Sequence, residues 1–296
     1  MKTISLAFKG ADGSISVFFF PEHGILIETG PYITFPDIEK GLIREGYKSE
    51  DVKHVFLTHT HLDHAGAAWA WAERNAKIYV HAKGAASLQD LSIQQDLIRQ
   101  FFVDQNLPVQ ETISNVFGEV RPIDKKQIVE LADQQEFRFG TDTFRVHHTP
   151  GHTQDHICWQ FEDKFFTGDI GGASIAGVPL FTPFPPLPDL DIPAWKKSLD
   201  KLEALIPGSL CVAHYGEVSR PIDHLQDFRS QFDLIEKWVE TRYEDHANLQ
   251  TLVPIFEDFL KGFLKDRGLS AEEAERYTAS NPPWLSVYGF ASYLRG

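Results

Sequence analysis

Cysteine is nearly absent: only Cys158 and Cys211 occur, each inside an apolar run, Ile157-Cys158-Trp159 and Leu210-Cys211-Val212. Two thiols of this kind read as buried and reduced, which excludes a disulfide framework and fits a reducing compartment. Positive charge is also scarce. Lys and Arg number 28 against 42 Asp and Glu, for a formal net charge of −14. A sequence-independent grip on nucleic acid needs cations to displace phosphate counterions, and a membrane contact through basic clusters needs the same residues, so neither is expected. Long hydrophobic runs are missing too. No segment approaches the about 18 apolar residues of a membrane span. Val17-Phe18-Phe19-Phe20 is too short for the core of a signal peptide and reads as a strand. The expectation is a cytoplasmic protein whose partner is a small molecule.

Hydrophobic residues make up 42% of the 296-residue chain, enough for a large core, and 23 phenylalanines against one methionine make that core aromatic. At roughly 150 residues per domain, the length allows one large domain, or a domain with an extension. There is no internal repeat. Strands are expected at Ile4 to Phe8, Ser14 to Phe20, Gly24 to Glu28, Val52 to Thr58 and Ile78 to Val80. Helices are expected at Ile38 to Glu45 and Ala65 to Asn75, and residues 84 to 118 read as mostly helical with a break near Pro108. Further strands are expected at Ile128 to Leu131, Phe144 to His148, His156 to Phe161, Lys164 to Thr167 and Ser209 to Ala213. Val178 to Pro193 reads as a Pro-rich loop, and Trp195, Leu199, Leu202 and Leu205 mark an amphipathic helix over Ala194 to Ile206. This alternation is that of a two-layer or four-layer α/β domain. Beyond Pro221 the apolar residues fall at helical spacing, which points to an all-helical extension that packs on the main domain, covers its site or forms a homodimer.

Thr58-His59-Thr60-His61-Leu62-Asp63-His64 gathers four metal-competent side chains in one short run. His59 and His61, two apart at the end of a strand, point to the same side. Asp63 and His64 follow on the turn into a helix. Asp63 alone would pass for a helix cap, but the four together point to metal binding. Three later segments carry further candidates just past apolar strands, where α/β sheets carry their chemistry: His152 in Thr149-Pro150-Gly151-His152-Thr153, Asp169 after Thr167-Gly168, and His214 in His214-Tyr215-Gly216. Singly, Asp169 and His214 would be ambiguous.

In order and spacing, these four motifs resemble the metallo-β-lactamase superfamily over roughly residues 1 to 225. The resemblance implies an α/β fold, the four-layer αββα sandwich, with a C-terminal helical extension over 226 to 296. It implies one metal held by His59, His61 and His152, a second held by Asp63, His64 and His214, and Asp169 bridging the two. The motifs are more similar to the glyoxalase II, lactonase and nuclease-related branches than to true β-lactamases, which commonly carry Cys where Asp169 stands. Two positions depart from the family pattern. Glu28 stands where many members have Asp, and Asp155 stands where Gly is frequent. Asp155 and His156 are candidates for a hydrogen bond that orients a ligand. His81, His147 and His148 have no matched role and read as structural.

A pair of divalent ions outweighs the charge of Asp63, Asp169 and a bridging hydroxide, so the site would be net positive inside an acidic protein. That favours an anionic or carbonyl-bearing substrate. The expected reaction is attack by the bridging hydroxide on an ester, lactone, thioester or similar bond, with Asp63 and Asp169 as the catalytic carboxylates. Zinc is the first expectation for the metal, and manganese or iron suits the same donors. Ile170 to Ala194 contains no Lys or Arg, and Val178 to Pro186 is apolar. This disfavours a glutathione conjugate and points to an apolar acyl group, unless the loop only packs beneath the C-terminal helices. Two alternatives stand beside the hydrolase: a mononuclear-iron oxygenase acting on persulfide, and a regulatory or binding protein that retains its metal and shows weak esterase activity.

Overall fold

The structure is a computed structural model that describes residues 1–93, 109–182, 189–243 and 249–295. Six strands form the first sheet in chain order: β1 (Lys2–Phe8), β2 (Ala11–Phe20), β3 (Ile25–Ile27), β4 (His54–Phe56), β5 (Lys77–His81) and β6 (Ile128–Leu131). The first three pair antiparallel and the rest parallel. The second sheet contains β7 (Glu136–Phe139), β8 (Asp142–His148), β9 (Ile157–Phe161), β10 (Lys164–Ile175), β12 (Ser209–His214) and β13 (Gly216–Val218), with β11 (Val178–Leu180) paired to β10. The helices are α1 (Phe35–Arg44), α2 (Leu62–Ala65), α3 (Ala68–Glu73), α4 (Ala85–Gln89), α5 (Val109–Phe117), α6 (Ile192–Ala204), α7 (Pro221–Tyr243), α8 (Leu249–Asp266), α9 (Ala271–Ser280) and α10 (Pro283–Arg295).

Alternation along the strands builds four layers. Phe18, Phe20, Ile25, Ile27, Phe56 and Tyr79 face the second sheet, while Val17, Phe19, Leu26, Val55, Ile78 and Val80 face outward. The outward set packs against α1, α3 and α4, with Trp71 fully buried. The inner set meets Phe144, Val146, Ile157, Trp159 and Phe166 in an aromatic core. Its centre is the stack of Phe56 on Trp159, with ring centroids 4.0 Å apart. The other face of the second sheet, through Phe165, Leu210 and Val212, shares one buried cluster with α6, α7 and the C-terminal helices. The expected αββα arrangement with C-terminal helices is therefore present.

Several local expectations differ from the structure. The helix expected over Ala65 to Asn75 runs only from Ala68 to Glu73, and Gly66 and Ala67 separate it from the short helix Leu62–Ala65. A Cβ at Gly66 would lie 3.0 Å from the Pro31 Cα, so the turn is pressed against another segment. The strand expected to end at Thr167 continues to Ile175, and its pairing with β12 slips between Gly168 and Ala173. Asp169 thus sits in a bulge inside a strand and not beyond its end. Strands β7, β11 and β13 were not expected, β11 lying inside the loop expected over Val178 to Pro193. The break expected near Pro108 lies outside the described residues. Helix α7 itself runs from Pro221 to Tyr243.

In the C-terminal helices, Phe228, Phe232, Trp238, Phe256 and Tyr277 are buried in the chain's own outer core. No helix among the described residues is long and apolar enough to cross a membrane.

The loop carrying His152 is seated on helix α6. Gly151 has φ +140°, and a Cβ there would lie 2.2 Å from the Trp195 Cα. Gly151→Ala should destabilise the chain by about 2 kcal/mol or more through backbone strain and overpacking. Urea denaturation at fixed metal concentration measures this, and a change within about 0.5 kcal/mol would refute the tight seat.

Candidate metal centre

The run from His59 to His64 leaves β4 and is clipped at once to the other sheet. The Ile157 amide donates to the Thr58 carbonyl at 2.8 Å, and the Trp159 indole donates to the Leu57 carbonyl at 3.0 Å. On the other side, the Thr29 amide and hydroxyl both donate to the His64 carbonyl, at 2.9 and 2.7 Å. The centre therefore lies where the edges of the two sheets meet, and the backbone on both sides holds the ligand run.

All seven expected ligands come together. Donor atoms of His59, His61 and His152 lie within 4.8 Å of one another, as do those of Asp63, His64 and His214, and those of His59, His64 and Asp169. Asp169 stands between the sets. Its Oδ1 lies 3.2 Å from Nε2 of both His64 and His214, and its Oδ2 lies 3.2 Å from Nε2 of His152. His152 Nε2 is also 3.0 Å from His61 Nδ1, and Asp63 Oδ2 is 3.7 and 3.8 Å from Nε2 of His64 and His214. Tetrahedral ligation at 2.0–2.1 Å puts neighbouring donors about 3.3 Å apart, so these spacings fit small divalent ions.

Hydrogen bonding agrees with this fit. Nε2 of His59, His64 and His214 and Oδ1 of Asp169 are buried without a hydrogen-bond partner, while the far side of several rings is engaged. His214 Nδ1 donates to the Ser14 carbonyl at 2.8 Å. The Thr58 hydroxyl donates to Glu28 Oε1, so His59 Nδ1 donates to Thr58 Oγ1 at 3.0 Å. Each such bond keeps the proton on the far nitrogen and leaves the near lone pair for a metal. Glu28 Oε2 lies 3.6 Å from His64 Nδ1, beyond hydrogen-bond distance, so one buried carboxylate is bonded through Thr58 toward the first set and sits beside a histidine of the second. Glu28 holds this position with φ +66°, in the left-handed region.

The electrostatics separate the rings into two groups. Burial lowers the pKa of His59, and the neighbouring imidazoles of His64, His61 and His152 lower it further. Burial likewise keeps His152 well below the usual range, outweighing Asp169. Burial opposes charge on His64 and His214 as well, yet Asp169 and Asp63 raise both. Burial also works against ionisation of Asp169, but His64, His214 and His152 hold its carboxyl well below the ordinary value. The centre has one open wall. The side chains of His61, Asp63 and Asp189 are 29%, 28% and 26% exposed, whereas those of His64, His152, Asp169 and His214 are buried.

The expected pairing of Asp155 with His156 is absent among the described residues. His156 Nδ1 instead meets Thr149 Oγ1 at 3.0 Å, and its ring stacks 5.1 Å from that of His59. Asp155 is buried beside Gly84, with Oδ2 unpartnered. His81 and His148 stack on each other at 4.1 Å, and His147 bonds Gln160 at 2.7 Å, so these rings are structural. Val178, Leu180 and Phe181 pack beneath the C-terminal helices, and the Tyr277 hydroxyl donates to the Phe181 carbonyl at 2.7 Å. This part of the loop therefore packs beneath the C-terminal helices, and Pro183 to Pro186 lie outside the described residues. Reading the sequence missed Asp189, whose Oδ2 lies 3.4 Å from His61 Nε2.

Comparison with known proteins agrees with the geometry. The family model described as the metallo-beta-lactamase superfamily matches residues 10–214. A metallo-beta-lactamase fold-containing protein of Sulfurisphaera tokodaii is 26% identical over 192 residues, covering 62% of this chain and 69% of that protein. A hydroxyacylglutathione hydrolase of Rhizobium etli is 30% identical over 120 residues, which span 40% of this chain but only 32% of the relative. In fold, a metallo-beta-lactamase family protein of Thermus thermophilus aligns with a TM-score of 0.67 at 18% identity, covering 95% of this chain and 87% of that one.

Zinc added to metal-stripped protein should raise the melting temperature. At a free ion concentration of 1,000 times Kd the linkage contributes about 4 kcal/mol. The gain should shrink as the pH falls, and should begin to do so above the ordinary histidine range, because Asp169 and Asp63 raise His64 and His214 and both rings must shed protons to bind. Thermal melts at two pH values measure both effects, and an unchanged melt at neutral pH would argue against a metal site.

Proposed function

Because the chain belongs to the metallo-β-lactamase superfamily, we propose that it is a dinuclear metal-dependent hydrolase of small-molecule thioesters, esters or lactones. His59, His61 and His152 would hold one ion, Asp63, His64 and His214 the other, and Asp169 would bridge them. The observation that carries this reading is the position of Asp169, with its two oxygens turned to histidines of both sets at 3.2 Å. Bound there, zinc or a similar divalent ion supplies Lewis acidity toward a carbonyl oxygen and a nucleophile near neutral pH.

The protein's own groups do the rest. Ser14 and Thr58 hold two ligand rings in the tautomer that presents a lone pair. Asp169, kept anionic by the histidines around it, fixes the spacing of the two positions. Asp63 lies at the open wall and is placed to orient a water and carry its proton away from an incoming substrate. A thiol nucleophile plays no part, since burial pushes both Cys158 and Cys211 up to about 12. Similarity to a hydroxyacylglutathione hydrolase supports a thioester or related acyl bond.

Elemental analysis of protein purified without chelator or nickel should give two equivalents of zinc or manganese per chain. A panel of thioesters, esters and lactones should then show metal-dependent turnover. In Asp63→Asn, assayed with its metal content measured on the same sample, kcat should fall about 100- to 10,000-fold. A single iron would move the reading to persulfide oxygenation. Two retained metals without turnover on any substrate would favour a regulatory protein.

A further inference from the structure

The two metal positions differ in charge. The set of Asp63, His64 and His214 includes its own carboxylate, whereas the set of His59, His61 and His152 is made of imidazoles only. Within the all-histidine set, the outward nitrogen of His61 is the one that meets a carboxylate. Nδ1 looks inward, 3.0 Å from His152 Nε2, and Nε2 looks outward, 3.4 Å from Asp189 Oδ2. Among the described residues, His61 is the only ion-pair partner of Asp189.

We propose that Asp189 is a positioning residue for the all-histidine metal position: it accepts the Nε2 proton of His61, fixes the tautomer that offers Nδ1, and supplies the anion this set lacks. The inference rests on the proposed metal-binding role of His61. A carboxylate behind a ligating imidazole raises the basicity of that imidazole and fixes its orientation.

The mount of Asp189 is rigid. Leu190 is buried in the outer core, and the Asp191 amide donates to the Gly151 carbonyl at 2.8 Å. The Asp191 side chain caps α6 by accepting from the Ala194 amide at 2.9 Å. Trp195, one turn on, donates to the Ile170 carbonyl at 3.1 Å and sets its ring edge-on to His152 at 5.1 Å. The start of α6 thus braces two ligands of the same set, one through an indole ring and one through a carboxylate. The side chain of Asp133 at the far end of α6, paired with Lys201 at 2.9 Å, is a carboxylate outside this cluster and serves as a control.

The test is zinc titration against a chromophoric chelator, with cobalt substitution for a ligand-field spectrum, on wild type, Asp189→Ala, Asp189→Asn and Asp133→Asn. In Asp189→Ala, one of the two equivalents should bind about 10- to 100-fold more weakly and the other should be unchanged. The cobalt spectrum of the weakened position should shift, and Asp189→Asn, which keeps an acceptor but not the charge, should fall between. Asp133→Asn should match wild type. The inference is overturned if Asp189→Ala keeps both affinities, or if both equivalents weaken alike, which would be a general charge effect. Melts of the metal-free variants check that the fold is intact. A wild-type chain that binds no zinc would overturn the metal reading first, and this inference with it.

Discussion

Asp169 carries the fold's central constraint: a carboxylate closed off from water with the nitrogens of three histidines 3.2 Å from its oxygens. Buried charge of this kind is costly unless every neighbour is fixed in place. The three rings come from distant parts of the chain, at positions 64, 152 and 214. Each must arrive with its lone pair or proton on the correct side. Much of the local architecture serves that requirement. Ser14 on β2 turns His214, and the paired strands around Leu57 and Thr58 fix the start of the ligand run.

The aromatic core makes such placement reproducible. Phe56 and Trp159 stack across the two sheets, and the indole of the same Trp159 bonds the backbone two residues before His59. Packing and polar contact are thereby combined in one residue, so a shift of one sheet against the other would break a buried hydrogen bond as well as open a void. Glu28 shows the same economy. Its left-handed backbone is a local strain, and it sets the side chain between Thr58 and His64.

The candidate ligands were legible in the sequence because metal chemistry restricts donors to few residue types, and because apolar strands announce where loops begin. Strand alternation also made the layers legible: Phe18 and Phe20 face in, Val17 and Phe19 face out. What remained hidden depends on tertiary approach. Asp189 and Asp191 flank Leu190 ahead of a helix and look alike in sequence. Only Asp191 is the cap, and the partner of Asp189 lies 128 residues away. The bulge around Asp169 comes from how β10 meets β12, which no local pattern in Thr167-Gly168-Asp169 records. Strand β7, with its half-exposed alternation, and the three-residue strands β11 and β13 are too weakly patterned to stand out.

The C-terminal helices are mechanically joined to the centre as well as packed on it. The Arg276 guanidinium on α9 donates to the Asp12 carbonyl, two residues from the Ser14 carbonyl that holds His214. Tyr215, the residue after that ligand, donates from its hydroxyl to the Arg276 carbonyl at 2.8 Å. These contacts close a loop of levers that runs from helix to hairpin to ligand and back to the helix. The position of His214 is thereby tied to that of α9 from both sides, through the Asp12 to Ser14 segment and through Tyr215.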